Sequence, residues 1–295
     1  MLFAEPVVRI RTTLGEGSIW DGRSQVLYWL DIMESCIFVF DPKTGVNRRI
    51  PVGKHVGTVV PRASGGLMLA VQDGFAHLDP ATGAVTQVTQ VATVATDQPG
   101  LRFNDGKCDP TGRFWAGTMA YDCRAGAGSL YRLDGAGALT RVLDGVTISN
   151  GLAWSRDARV MYYIDSVTRR VDAFDYDDAT GAIANRRTVI EIPVHLGIPD
   201  GMTMDERGML WIALHESGKV GCWNPLDGLL LATIDVPGAQ LVTSCAFGGA
   251  NLDELYITTA SIGLDAQQLA RQPNAGALFR AKPGVRGLPA CAFRG

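Results

Sequence analysis

Four oxygen-bearing side chains recur along this chain at one phase of a repeated pattern, and that repeat restricts the fold more than any other feature. Glu16 in LGEGSIWDG, Asn104 in RFNDGKCDP, Asn150 in SNGLAWS and Asp200 in PDGMTMD each stand five residues before a turn residue. Those turn residues are Asp21, Asp109, Ser155 and Asp205, and each precedes an apolar run bearing Trp or Tyr: VLYWLD, FWAGT, VMYYID and LWIAL. The last three marks are separated by roughly 46 and 50 residues, near the blade length of a β-propeller. The gap from 16 to 104 is about twice that, and a weaker copy from His55 to Gly74 fills it with turn glycines and a return strand but no acid. A sixth copy, Thr243 to Ala260, places Thr243 or Ser244 at the marked phase. Six units result.

A second marker repeats out of phase with the first. DPKTG from Asp41, DPATG from Asp79, DDATG from Asp177 and NPLDG from Asn224 are five-residue turns ending in Gly. Asp or Asn opens such a turn by bonding its own backbone, and the closing Gly takes the positive-φ slot of a bulged hairpin. Each is expected to join the third and fourth strands of one unit. DYDDATGAIANR lacks Gly at the sixth position and an acid at the twelfth, which excludes a calcium-loop reading. Alternation such as CIFVF reads as strand, and DAQQLARQ (Asp265 to Gln272) reads as a brief helix in a loop. The expected fold is all-β: a six-bladed propeller of four-stranded blades with a central metal-binding channel. Residues 1–295 are expected to form a single domain, with an N-terminal strand, about residues 5–14, closing the last blade.

Bulk properties agree with that architecture. A chain of 295 residues is long for one ordinary core, which stops growing at roughly 250–300 residues, and suits a closed repeat array. With 46% hydrophobic and 19% charged residues the chain is not disordered, and 35 glycines fit many tight turns. A net charge of −3 with scattered basic residues argues against nucleic acid or an anionic membrane as partner. No apolar run approaches the roughly 20 residues of a membrane span. The six cysteines contain no C-x-x-C pair, which excludes zinc-finger and thioredoxin readings. Glu5 and Pro6 interrupt any apolar leader, so reduced thiols and a cytoplasmic location are expected.

In a propeller the innermost strand of each blade lines the channel, and one phase of the repeat lies at one depth. Glu16, Asn104, Asn150 and Asp200 are therefore expected to converge. Two carboxylates and two amides form an all-oxygen set that suits a hard divalent cation such as Ca²⁺, Mg²⁺ or Mn²⁺. Zinc is less suited, because it more often recruits His or Cys.

LGEGSIWD, RFNDGKCDPTGRFWAGTM, ISNGLAWS, YYIDS, VDAFDYD, IPDGM and RQPNAGALF resemble the senescence-marker/regucalcin/gluconolactonase/luciferin-regenerating family, nearly end to end. The resemblance implies a six-bladed propeller with one divalent metal ion (Ca, Mg, Mn or Zn) and hydrolysis of a small-molecule sugar-acid lactone. By motif, Glu16, Asn150 and Asp200 match its metal ligands. Arg102 and Asn104 match substrate contacts, Asn104 also lying near the metal. After GTM the family carries an acid that binds sugar hydroxyls. Here the segment reads GTMAYDCRAG, which makes Asp122 the candidate with Tyr121 beside it.

The chemistry asks the same of these residues. Lactone opening needs a polarised carbonyl, an activated water and a stabilised oxyanion. A bound cation supplies the first and helps the second. Asp200 is then expected to act as ligand and general base, and Arg102 to orient the ring oxygens or the oxyanion. Asp105 is a candidate either for the site or for holding its loop as an acceptor. No G-x-S-x-G is present, and His55, His77, His195 and His215 lack motif context and are expected on the surface or in loops. The tryptophans read as blade core, with Trp20 and Trp154 nearest the channel. The alternatives are a non-catalytic calcium-binding scaffold, which has no need of Arg102 and Asn104 in the bore, and an esterase-like hydrolase, which would favour histidine-rich channels.

Overall fold

A computed structural model describes residues 2–80, 89–93 and 100–295. The chain is a six-bladed β-propeller. Blade 1 comprises Gly15–Asp21, Val26–Asp31, Cys36–Asp41 and Val46–Pro51, each strand pairing antiparallel with the next. Blade 2 runs from Val56–Pro61 to Thr89–Thr93, blade 3 from Leu101–Cys108 to Leu139–Val146, and blade 4 from Ser149–Trp154 to Ala182–Glu191. Blade 5 begins with Ile198–Met204 and ends with Leu230–Asp235. Blade 6 takes three strands from the C-terminal part of the chain, Val242–Gly248, Glu254–Thr259 and Leu278–Ala281, and its outer strand from Glu5–Val8.

The N-terminal strand stops at Val8, short of the expected residue 14. Beyond it Thr12 is buried, and its Oγ1 donates to the Gly276 carbonyl at 2.8 Å. Leu2–Phe3 was not foreseen as a strand. It pairs parallel with Leu230–Asp235 on blade 5, so the first residues bridge the last two blades.

The hydrophobic cores lie between blades. One cluster packs blades 1 to 3, and others join blades 3 and 4, 4 and 5, 5 and 6, and 6 and 1. Trp29, Trp115, Trp211 and Trp223 are fully buried there, as the repeated strand positions suggest. The turn acids hold this core by hydrogen bonds: Asp109 accepts from the Trp115 indole at 2.9 Å, and Asp205 from the Trp211 indole at 3.1 Å. DPKTG, DDATG and NPLDG each join a third to a fourth strand, with Gly45, Gly181 and Gly228 at φ of 72, 70 and 72°. DPATG lies partly outside the described residues. DAQQLARQ contains the helix Ala266–Arg271, capped by a reciprocal Asp265–Gln268 box. No helix among the described residues is long and apolar enough to cross a membrane.

Candidate metal centre in the bore

All six inner strands carry a β-bulge at or beside the marked phase, with register breaks between Glu16 and Ile19, Val56 and Thr58, Phe103 and Gly106, Ser149 and Leu152, Pro199 and Met202, and Val242 and Ser244. A bulge locally re-aims the side chains it carries. Here it sets Asn104, Asn150 and Asp200 at the irregular position of their strands. Close approach of neighbouring inner strands needs glycine beside that position. A Cβ on Gly151 would sit 2.8 Å from the Asp200 carbonyl oxygen, and one on Gly57 would sit 2.4 Å from the Phe103 carbonyl carbon.

The entries to two inner strands are clamped by an acid ending the second strand of the same blade. Asp31 accepts from the Thr13 and Leu14 amides at 2.7 and 3.0 Å, just ahead of Glu16. Asp165 accepts from the Thr147 and Ile148 amides, both at 2.9 Å, just ahead of Asn150. These are the acids of VLYWLD and VMYYID.

Glu16, Arg102, Asn104, Asp105, Asn150 and Asp200 are all less than a tenth exposed. The two amides are used differently. Asn150 Nδ2 donates to Ser166 Oγ at 2.9 Å, while Ser166 Oγ donates to the Pro199 carbonyl at 2.7 Å. Because the hydroxyl proton is committed to Pro199, Ser166 can only accept from Asn150, which fixes the amide with its oxygen free. Asn150 Oδ1 and Asp200 Oδ1 are both buried and have no hydrogen-bond partner among the described residues. Asn104 has no free oxygen: its Nδ2 donates to the Ser149 carbonyl at 2.8 Å, and its Oδ1 accepts from Arg102 at 2.6 Å. Glu16 Oε2 accepts the neighbouring Gly17 amide at 3.0 Å.

The carboxylates sense one another. Burial pushes Glu16 up to about 8, with the Asp105 charge adding and the Gly17 amide and Arg102 opposing. Burial also pushes Asp200 well above the carboxylate range, with Glu16 and then Asp105 adding to it. Asp105 is itself raised by burial, while Lys107 and the Gly106 amide hold it down. Two buried acids that resist ionising together, plus two orphaned oxygens, form a donor set of the chemistry that suits a hard cation. Among the described residues no three His, Cys, Asp or Glu side chains cluster as a metal site.

At the mouth, Tyr121 is 38% exposed and the Arg102 guanidinium lies 5.9 Å from its ring centroid. His55 Nδ1 lies 2.6 Å from Tyr121 Oη, a contact that the sequence reading missed. The available signal was position: His55 immediately precedes the inner strand of blade 2, Val56–Pro61. Asp122 stands apart from the buried set. Its side chain is 68% exposed, and its partners are the Arg124 amide at 3.2 Å and guanidinium at 4.0 Å. His215 is partly buried, and burial pulls its imidazole down.

Zebrafish (Danio rerio) regucalcin is 41% identical over 294 residues, covering 99% of this chain and 98% of that one. A Bacillus subtilis (strain 168) protein with the provisional name sugar lactone lactonase YvrE is 38% identical over 285 residues, covering 97% and 96%. The solved structure of a calcium-binding protein, regucalcin, from Agrobacterium tumefaciens strain C58 matches with a TM-score of 0.93 at 27% identity, covering 99% and 98%. The family model described as SMP-30/Gluconolactonase/LRE-like region matches residues 14–261. Fold, bore and sequence together make the chain a member of the SMP-30/gluconolactonase/LRE-like family.

Proposed function

We propose that the protein is a metal-dependent hydrolase of a sugar-acid lactone, of gluconolactone or pentonolactone type, releasing the aldonic acid. The observation that carries this reading is the pair of buried, unpartnered oxygens on Asn150 and Asp200, with the Glu16 carboxylate in the same electrostatic field. Glu16, Asn150 and Asp200 would hold one divalent cation. Calcium is favoured over zinc because every donor is oxygen, and the Agrobacterium regucalcin is described as calcium-binding. When bound, the cation polarises the lactone carbonyl and lowers the pKa of water.

The chain's own groups do the rest. Asp200 accepts the proton of the attacking water as the carbonyl carbon becomes tetrahedral, and returns it to the ring oxygen as the acyl C–O bond breaks. Arg102, anchored on Asn104 and on the Phe103 carbonyl, presents fixed positive charge to the developing oxyanion or the ring oxygens. Asn104 thus serves the substrate mainly by aiming Arg102. Tyr121 and His55 shape the entrance, and Asp122 contacts sugar hydroxyls only if its loop folds inward on binding. The partner is a small-molecule lactone, and residues 1–295 act as one domain in the cytoplasm.

The name of the Bacillus relative supports hydrolysis, whereas the Agrobacterium structure is described as that of a calcium-binding protein. Arg102 and Asn104, buried beside the acids, favour turnover. Protein stripped with chelator and refilled with calcium or manganese should regain gluconolactone hydrolysis, read by acid release. Hydrolysis by Asp200→Ala at the wild-type rate would refute the mechanism.

A further inference from the structure

A polar pair stands at the mouth of the bore, apart from the cation donors. His55 enters from blade 2, immediately ahead of Val56–Pro61, and Tyr121 from blade 3, immediately after Phe114–Ala120. Both backbones are tied down. The Tyr121 amide donates to the Gly100 carbonyl at 2.9 Å, and the His55 carbonyl accepts the Gln72 amide at 2.8 Å. Two residues along from His55, Gly57 lies so near Phe103 that no side chain fits, which holds the two blades together at this level.

His55 Nδ1 and Tyr121 Oη are 2.6 Å apart, while the ring centroids are 5.6 Å apart and the planes inclined at 57°. That geometry is a hydrogen bond between ring edges, not a stack. Tyr121 is also the ring that the Arg102 guanidinium approaches. Arg102 is buried in the bore and Tyr121 is exposed, so the phenol continues the site outward from the guanidinium. Asp122, the next residue, meets Arg124 instead, and the contact beside Arg102 is therefore an uncharged phenol.

The remaining hydrogen-bond capacity can be counted. If Oη donates to Nδ1, it keeps two lone pairs. If Nδ1–H donates to Oη, the phenol keeps its proton and one lone pair. In either tautomer Oη can still engage a hydroxyl group, which both donates and accepts.

We propose that His55 is a positioning residue that fixes the Tyr121 hydroxyl to meet a ring hydroxyl of the lactone. The inference rests on the lactonase reading above and narrows its substrate to lactones hydroxylated on the side away from the carbonyl. Arg102 takes the ring oxygen or the oxyanion, and Tyr121 takes the far hydroxyl. A phenol left loose at the mouth would lose part of that bond to its own ordering, and His55 removes this cost in advance.

The test compares gluconolactone with δ-valerolactone, the same ring without hydroxyls, on the metal-loaded protein. The quantity read is the ratio of their kcat/KM values, which cancels any general loss of folded protein or of metal. His55→Phe should lower the ratio about three- to tenfold, the worth of one neutral hydrogen bond. Tyr121→Phe should lower it by a similar factor, and the double variant no further, because all three lose the same contact. His55→Asn, whose side-chain amide can reach the phenol in place of Nδ1, should recover most of the ratio. The inference is overturned by an unchanged ratio in His55→Phe, by losses that multiply in the double variant, or by no recovery in His55→Asn. Wild-type protein that hydrolyses neither lactone overturns the lactonase reading itself.

Discussion

Glu16→Gln should stabilise the chelator-treated protein at alkaline pH, although it removes a proposed metal ligand. Glu16 is 4% exposed, and burial shifts its carboxyl from an ordinary 4.5 to about 8. Below about pH 4.5 the folded and unfolded chains both hold the proton, and the group does not affect stability. Between that point and about pH 8 the unfolded chain releases a proton that the folded chain retains. Stability then falls by about 1.4 kcal/mol per pH unit, or roughly 4–5 kcal/mol across the interval. Water entering the bore and relaxation of Arg102 reduce this to about 2–4 kcal/mol. Glutamine keeps the shape and cannot ionise. At pH 8 in EDTA the variant should therefore melt about 4–8 °C above wild type, and at pH 5 the difference should nearly vanish. Saturating calcium should reverse the order, because the wild type, with its charged ligand, gains the larger binding free energy. Calorimetry at the two pH values, with and without calcium, reads all four states. A variant no more stable than wild type at pH 8 in EDTA would refute the reasoning.

Ser166→Ala should weaken metal affinity by about tenfold or more, because the Asn150 amide loses its orienting partner, while kcat at saturating metal stays near wild type. Metal titration against activity separates the two effects, and an unchanged affinity would remove Ser166 from the account. Gly151→Ala, whose Cβ would meet the Asp200 carbonyl at 2.8 Å, should cost about 1–3 kcal/mol and abolish metal-dependent activity in protein that still folds. Asp109→Ala should cost about 3–5 kcal/mol by denaturant unfolding, since a fully buried carboxylate accepts from the Arg113 amide, the Trp115 indole and the Tyr176 hydroxyl at 2.8, 2.9 and 2.7 Å.

The ring was legible in the sequence because each blade repeats the same local demands. An acid or amide, a turn and an aromatic return strand recur, and each has a local physical reason visible in one copy. The five-residue Asp-x-x-x-Gly turns were legible for the same reason. What escaped depends on contacts between blades. The pairing of Leu2–Phe3 with Leu230–Asp235 ties the first residues to the outer strand of blade 5, and no local pattern announces it. Asn104 and Asn150 look alike in sequence, but Arg102 occupies the oxygen of one while Ser166 leaves the oxygen of the other free. His55 seemed an isolated histidine until blade 3 brought Tyr121 against it. Asp122 follows a conspicuous motif, yet its strand has ended and its side chain meets Arg124 instead of the bore. The aligned phase showed which side chains reach the bore. It could not show which of their atoms remain available there.

Anomalous diffraction from crystals grown with manganese tests the central claim most directly. The account predicts one strong peak in the bore, within bonding distance of a Glu16 oxygen, Asn150 Oδ1 and an Asp200 oxygen, that disappears in Asp200→Ala. A bore without a peak in protein that hydrolyses gluconolactone, or a peak bound to other side chains, would contradict it.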